Sequence, residues 1–391
     1  MKMKNVVIVL FAIVLAAVVF FLVRLGIFYG KIYNPKNSVE KKPSVEKSSY
    51  NILLLGYAGG THEGTFLTDT MIVAHVDLKK KSVVLVSLPR DIWVAVPTKS
   101  GDPFHVKINT LYELELLGEP FPDVVGKNLV NKTIENIAGL PIDYFVAIDF
   151  YGFTRAMDIL GGIDVNVDKS FTDERYPIEG KEKDLCGKDE QFTKVEKYLG
   201  DTESTLEAER DELFKKEPNL KKFFTDITDE PQNAFPCRYE KISFAKGLAH
   251  MSGETALKYA RSRNSPEDGG DFGRARRQQK VIEATKDKVL TIGFVPKIIP
   301  LLDELEEYIK TDMPAVQLNK FLGENIHANE YKITNLVLTD NEWLKSSRSS
   351  DGQFVLIPEE GEDQWNGVKL WVKKATEGII ITPSPKIKPT R

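Results

Sequence analysis

Residues Val6–Val23 are apolar without a break, and the run resumes beyond Arg24 in Leu25, Gly26, Ile27 and Phe28. About 20 such residues cross the roughly 30 Å hydrocarbon core of a bilayer. Arg24 stands near one end, where a long cationic side chain can reach the headgroups. A cleavable signal peptide would carry a shorter apolar stretch, of about 7–15 residues, before a small-x-small site. The residues that follow, Arg24 to Tyr29, offer no such site. The sequence therefore predicts a cytoplasmic tip and an uncleaved transmembrane anchor over residues 1–30. Basic residues do not orient it, since Lys2 and Lys4 precede the run and Arg24, Lys31 and Lys36 follow it.

Residues 31–49 repeat Ser38-Val39-Glu40-Lys41 as Ser44-Val45-Glu46-Lys47 and carry Pro35 and Pro43. With so little apolar mass they read as a flexible linker. The whole chain of 391 residues is 42% hydrophobic and 28% charged, which excludes full disorder, a polytopic membrane protein and a collagen-like fibre. Its net charge of −4 argues against a nucleic-acid binder. Two cysteines exclude a disulfide-rich scaffold and a multi-cysteine zinc site, and five histidines without His-Glu-x-x-His exclude a zincin.

Residues 50–376 read as one α/β domain. Asn51–Gly56, Met71–Val76, Ser82–Ser87, Tyr144–Phe150, Ile163–Val167 and Lys332–Leu338 have strand character. Asp77–Lys81 suits a hairpin loop, which makes the sheet mixed. Gly152–Leu160 has a helical pattern stopped by Gly161-Gly162. Residues 171–240 differ: their charges sum to −7, and they read as a charged surface insertion without a core of its own. Cys186 and Cys237 fall within that insertion. Paired, they close a loop of about 50 residues; two unpaired thiols are the alternative. Together with the anchor, they lead to the expectation of a disulfide in a domain outside the cytoplasmic membrane. The tail, 377–391, carries Pro383, Pro385 and Pro389 and is expected to be disordered.

The densest chemical signal runs from Tyr259 to Lys280, where Arg261, Arg263, Arg274, Arg276, Arg277 and Lys280 oppose Glu267, Asp268 and Asp271. Asp271 suits an N-cap for a helix through Val289. Arg274 and Gln278 would share one face of it, and Ala275, Ile282 and Val289 another. Guanidinium groups at a helix start suit a phosphate, although the same residues also suit a solvated face with surface ion pairs. Arg90 and Asp91 close a strand, where ligands of α/β sheets collect; a turn with an ion pair explains them equally. Thr68-Asp69-Thr70 offers one carboxylate and two hydroxyls to a hard cation, or simply a turn. His62 and Glu63 lie in the Gly59–Gly64 loop, which is not a Walker loop.

In this order, the pieces resemble the LytR-CpsA-Psr family of bacterial cell-envelope proteins. The stretches that carry the resemblance are Asn51–Gly56, Thr68-Asp69-Thr70, Val86–Asp91, Lys107-Ile108-Asn109, Ile142-Asp143-Tyr144, Leu160–Val165, Gly253–Arg263 and Asp271–Gln278. It covers residues 50–310 and extends less clearly to 375. It implies an α/β fold, a three-layer α-β-α sandwich with a mixed central sheet and a long apolar lipid pocket. It also implies a transferase outside the cytoplasmic membrane that moves an anionic glycopolymer, such as teichoic acid or capsule, from a polyprenyl pyrophosphate carrier onto peptidoglycan with Mg²⁺. Partners are then the polyprenyl-pyrophosphate-linked glycopolymer, the peptidoglycan acceptor and membrane lipid, with no nucleic acid.

Carried over by motif, Arg90, Arg261, Arg263, Arg274 and Gln278 bind the pyrophosphate and Asp69 holds the metal. Arg90, Asp91, Arg263 and Arg274 are the expected catalytic residues. Asp91 is the nearest candidate base, or an ion-pair partner for Arg90. The chain departs from the family in two places. Ala58 stands where a Gly-x-Asp carboxylate is common, and Leu67-Thr68 where Arg precedes Ser-Asp-Thr. Glu63, His62 or water would then complete the metal's ligands. Two other readings stay open: a lipid-pyrophosphate hydrolase, and a non-catalytic polyprenyl-lipid binder or regulator.

Overall fold

The computed structural model describes residues 23–24, 26–33, 47–60, 64–101, 104–117, 128–199, 204–289, 304–314, 317, 330–340 and 342–379. The expected anchor, apart from its last residues, lies outside them, as do most of the linker and the tail from 380. Among the described residues no helix is long and apolar enough to cross a membrane.

In chain order the strands are β1 (Ser49–Tyr57), β2 (Thr68–Asp77), β3 (Ser82–Ser87), β4 (Trp93–Val96), β5 (Phe104–Lys107), β6 (Tyr144–Asp149), β7 (Ile163–Val167), β8 (Phe171–Pro177), β9 (Tyr239–Phe244), β10 (Gly247–Met251), β11 (Ile309–Thr311), β12 (Lys332–Val337), β13 (Leu344–Arg348) and β14 (Phe354–Pro358). The helices are α1 (Leu111–Leu117), α2 (Leu129–Ala138), α3 (Phe150–Leu160), α4 (Asp189–Val195), α5 (Ser204–Lys216), α6 (Pro218–Asp229), α7 (Gly253–Arg261), α8 (Gly270–Val289) and α9 (Asn366–Thr376), with shorter turns between. The chain forms two compact units. One runs to Asn166 and adds Leu248–Arg261 and the chain from Asp271; the other is Val167–Gly247 with Ser262–Gly270.

The first unit is built on a six-stranded sheet in the order β11-β6-β1-β2-β3-β12. β1 runs parallel to β6 and antiparallel to β2, and β3 runs antiparallel to β2 and parallel to β12, so the sheet is mixed. Side chains alternate between its faces because the strand period is two. Leu53, Leu55, Met71, Val73, Val84 and Val86 face a core shared with Ile134 of α2 and Val368 and Trp371 of α9. Ile72, Ala74 and Leu85 face the other way, against Ile282 of α8. Both faces are thus covered by helices, and this is why β2 and β3 read as unbroken apolar runs.

Local chemistry sets several boundaries. α3 starts two residues before the expected Gly152, because the Asp149 carboxylate accepts a hydrogen bond from Gly152 N at 2.7 Å. It ends at Gly161, whose φ of 80° is the left-handed conformation that glycine adopts without penalty. α8 begins at Gly270, so Asp271 lies in the first turn and is not the N-cap expected from the sequence. Two small antiparallel hairpins, β4–β5 and β13–β14, escaped the sequence reading; each strand is four or five residues long.

The expectation of an insertion without a core is corrected by the second unit. Val195 of α4, Phe214 of α5, Leu220 and Phe223 of α6, and Ala234 and Phe235 after it form an apolar cluster. Phe192 of α4 and Leu213 of α5 pack against it, and α6 presents a full apolar stripe, Leu220, Phe223, Phe224 and Ile227 at i, i+3, i+4 and i+7. Cys186 and Cys237 form a disulfide across 51 residues of this unit. β8 and β9 pair antiparallel beside it in sequence, with a register shift between Asp173 and Tyr176.

Candidate active site

Asp69 owes its position to a defect in the ladder. Thr68 pairs with Tyr57 and Thr70 with Gly56, which leaves Asp69 as the extra residue of a β-bulge. Bulges re-aim a side chain out of the alternating pattern. Arg90 follows β3, the strand antiparallel to β2, and its Nη1 donates to Asp69 Oδ1 at 2.7 Å. Arg274, buried on the first turns of α8, brings its Nη1 to 3.7 Å from the same oxygen and its Nη2 to 2.9 Å from Asp271 Oδ1. Burial pushes the Asp69 carboxyl up, but Arg274, Arg90 and Arg261 together outweigh it and hold it below the ordinary carboxylate range.

A second carboxylate braces the first pair. Asp91 is buried, accepts from Lys107 Nζ at 2.7 Å and lies 3.7 Å from Arg90 Nε. Burial raises its pKa, yet the hydrogen bond from Lys107 and the charges of Arg90 and Lys107 leave it lowered. Asp91 is therefore an anion that positions Arg90, and a poor proton acceptor in this state. Lys107 reaches it because β5 folds back on β4: Lys107 pairs with Trp93, and Ile108 N donates to Ile92 O at 2.7 Å. Among the described residues Arg90, Arg261, Arg274 and Lys107 thus act on Asp69, Asp91 and Asp271. The cations exceed the anions by one, and guanidinium forks suit phosphate oxygens.

The other expected residues divide. Arg261, at the end of α7, lies over the Phe150 ring at 4.4 Å. Gln278 is half-buried, while its neighbour Gln279 is buried and donates to Ser87 Oγ at 2.8 Å and Leu336 O at 2.9 Å. Arg276 is exposed and Arg277 buried, its Nε donating to Tyr259 O at 2.9 Å. Arg263 belongs to the second unit. There its N–H, that of Asn264 and the Ser262 hydroxyl all donate to Asp173 Oδ2, at 3.0, 3.0 and 2.8 Å. Asp173, fully buried, went unnoticed in the sequence, where it is one acid in an acidic segment. Lys107 carried a motif match but no charge-partner signal.

The donor set fits a hard cation such as Mg²⁺. Both arginines reach the Oδ1 atom of Asp69. Among the described residues Asn109 Oδ1 is buried without a hydrogen-bond partner, and the backbone oxygen of Asn109 accepts from Thr68 Oγ1 at 3.2 Å, beside Asp69. Tyr57 is not a competing ligand: burial, and then the charge of Asp149, push its pKa up to about 12, which keeps the phenol neutral. His62 and Glu63 lie outside the described residues.

Comparison with known proteins identifies the family. The model of the LytR_cpsA_psr family matches residues 29–364. The polyisoprenyl-teichoic acid–peptidoglycan teichoic acid transferase TagV of Bacillus subtilis is 26% identical over 285 residues, 72% of this chain and 54% of the relative. The transferase of the same title TagU, from Enterococcus faecalis, is 26% identical over 278 residues, 70% of this chain and 65% of the relative. The chain thus spans between half and two thirds of the length of these curated relatives. The crystal structure of B. subtilis TagV shares the fold, with a TM-score of 0.53 at 24% identity, over 87% of this chain and 100% of that one. A family match over most of the chain, with arginines converging on the aspartate of its Thr-Asp-Thr motif, places this protein in the LytR-CpsA-Psr family.

Proposed function

We propose that this protein is a membrane-anchored phosphotransferase that moves an anionic glycopolymer from a polyprenyl-pyrophosphate carrier onto peptidoglycan. The observation that carries this reading is the convergence of Arg90 and Arg274, from separate elements, on the single carboxylate of Asp69. The transferase names of TagV and TagU support it. Phosphoryl transfer needs positioning and charge neutralisation more than covalent chemistry from the protein. Arg90, Arg261 and Arg274 hold the pyrophosphate oxygens; Arg263 and Gln278 are assigned there by the resemblance. Asp69, and Asn109 through its amide oxygen, would hold Mg²⁺, which supplies further neutralisation when bound.

The acceptor hydroxyl oxygen forms a bond to the phosphorus that carries the glycopolymer, and its proton passes to the departing phosphate oxygen. The bond from that phosphorus to the bridging oxygen breaks, and polyprenyl phosphate leaves with the charge the arginines neutralise. Asp91, locked between Lys107 and Arg90, keeps the guanidinium in place through this step. The apolar run at residues 6–23 anchors the chain, with the catalytic domain outside the cytoplasmic membrane. A disulfide fits that compartment, since thiols are kept reduced inside the cell.

Product analysis tests the proposal. Full-length protein in liposomes is given lipid-linked polymer, peptidoglycan and Mg²⁺, and polymer joined to glycan is expected. Free phosphorylated polymer would make the protein a hydrolase, and unchanged substrate would make it a binder or regulator.

A further inference from the structure

The two short hairpins enclose a cleft of about 790 Å³ in the first unit, within the roughly 300–1,000 Å³ range of ligand pockets. One wall is β4–β5 and the other β13–β14; Ile92 and Leu356 bridge them, and Leu356 N donates to Asp91 O at 2.8 Å. The cleft therefore starts beside the phosphate site. Lys107 belongs to both, lining the cleft while its ammonium holds Asp91.

The lining has the chemistry of a glycan site. Trp93 is half-buried and its ring stacks on His105, centroids 6.1 Å apart and planes at 18°. His105 is itself held by Asp363 at 3.0 Å, so the aromatic platform is fixed before a ligand arrives. Phe104, 41% exposed, stands on the same strand. The apolar C–H face of a pyranose ring packs on such a surface. Ser347, Ser350 and Gln353 offer hydroxyl and amide partners opposite. Lys107 and Arg348 are matched by Asp351 and Glu362, so the cleft has no charge excess of the kind that marks the phosphate site. That balance disfavours a polyanion, and the hydroxyl-rich wall disfavours a lipid chain.

We propose that this cleft binds the acceptor: a neutral, N-acetylated glycan strand, laid across Trp93 with one hydroxyl directed past Lys107 toward the arginine cluster. The proposal rests on the transferase reading for the word acceptor, while glycan binding itself can be measured without turnover. A soluble N-acetylglucosamine tetramer is titrated into detergent-solubilised full-length protein, with calorimetry as readout. Trp93→Ala is expected to weaken binding about tenfold and Trp93→Phe about threefold or less, because a smaller ring keeps part of the stacking. Ser350→Trp, an exposed turn position whose new ring fills the cleft, is expected to abolish it. Affinity for a polyprenyl pyrophosphate should stay within about twofold of wild type in each variant, since none removes a phosphate-site charge. Equal tetramer affinity in wild type, Trp93→Ala and Ser350→Trp overturns the proposal, as does no binding to wild type. Trp93-dependent tetramer binding by a protein that transfers nothing upholds the glycan cleft and overturns the transferase reading instead.

Discussion

At the scale of single residues, direction separates arginines that the sequence presents as equals. Arg276 points about 200° away from Arg274 on α8, at 100° per residue, and is exposed, whereas Arg274 is buried against Asp69 and Asp271. Arg274→Ala should weaken lipid-pyrophosphate binding by about 1.5–3 kcal/mol, the worth of a charge-assisted hydrogen bond, and Arg276→Ala should leave it unchanged within error. Equal losses would refute the proposed helix face. The Asp69 ion pairs also predict a pH dependence. The folded carboxyl titrates below its unfolded value, so its stabilisation is full at neutral pH and fades as pH falls through the folded pKa. Asp69→Asn should therefore destabilise by about 1–3 kcal/mol near pH 7, and urea unfolding should show that gap narrowing only as pH falls below the usual carboxylate range. A gap independent of pH would mean the ion pairs contribute nothing net.

Elements matter through how closely they approach and what they hold in place. A Cβ built on Gly253, in the first turn of α7, would sit 2.1 Å from Thr154 O of α3. Gly253→Ala must push the two helices apart and should cost about 1–3 kcal/mol, read as a lower denaturant midpoint. A midpoint at or above wild type would show that the helices can separate freely. In the second unit, Asp173 plays a comparable part for a loop. Its carboxylate accepts from Ser262, Arg263 and Asn264 through one oxygen and from Arg175 N through the other. Asp173→Ala strands the buried Ser262 hydroxyl at about 1–3 kcal/mol and frees the less buried backbone donors of the loop. Amide exchange at 262–264 should rise well before exchange in β1 or β2; simultaneous exposure would show that the loop and the sheet unfold together.

For the whole molecule, the disulfide lies in one unit only. In the chain-entropy model a bridge across 51 residues is worth about 4 kcal/mol. The Cys186→Ser, Cys237→Ser double variant should lose amide protection in Val167–Gly247 and retain it in the six-stranded sheet, as measured by exchange mass spectrometry. Uniform loss would mean the two compact units do not unfold separately.

The sheet was legible because strand alternation and apolar runs are local properties: β1, β2, β3, β6 and β12 all fall close to where side-chain pattern puts them. The family motifs were legible for the same reason, being short and continuous. Two things were not. The core of the second unit shows locally only as the stripe of α6, and the residues that close over it come from α4, α5 and the Ala234-Phe235 turn, which no one window of sequence contains. The partners of the site charges are likewise non-local. Asp69 faces Arg274 only because a bulge turns it out of the ladder, and Lys107 meets Asp91 only because β5 pairs back on β4. Sequence alone set which residues carry charge and which strands must be buried, since both follow from side-chain chemistry and period. Which charge meets which, and therefore where an anion can bind, was decided by strand register and chain reversal, which arise only when distant segments pack.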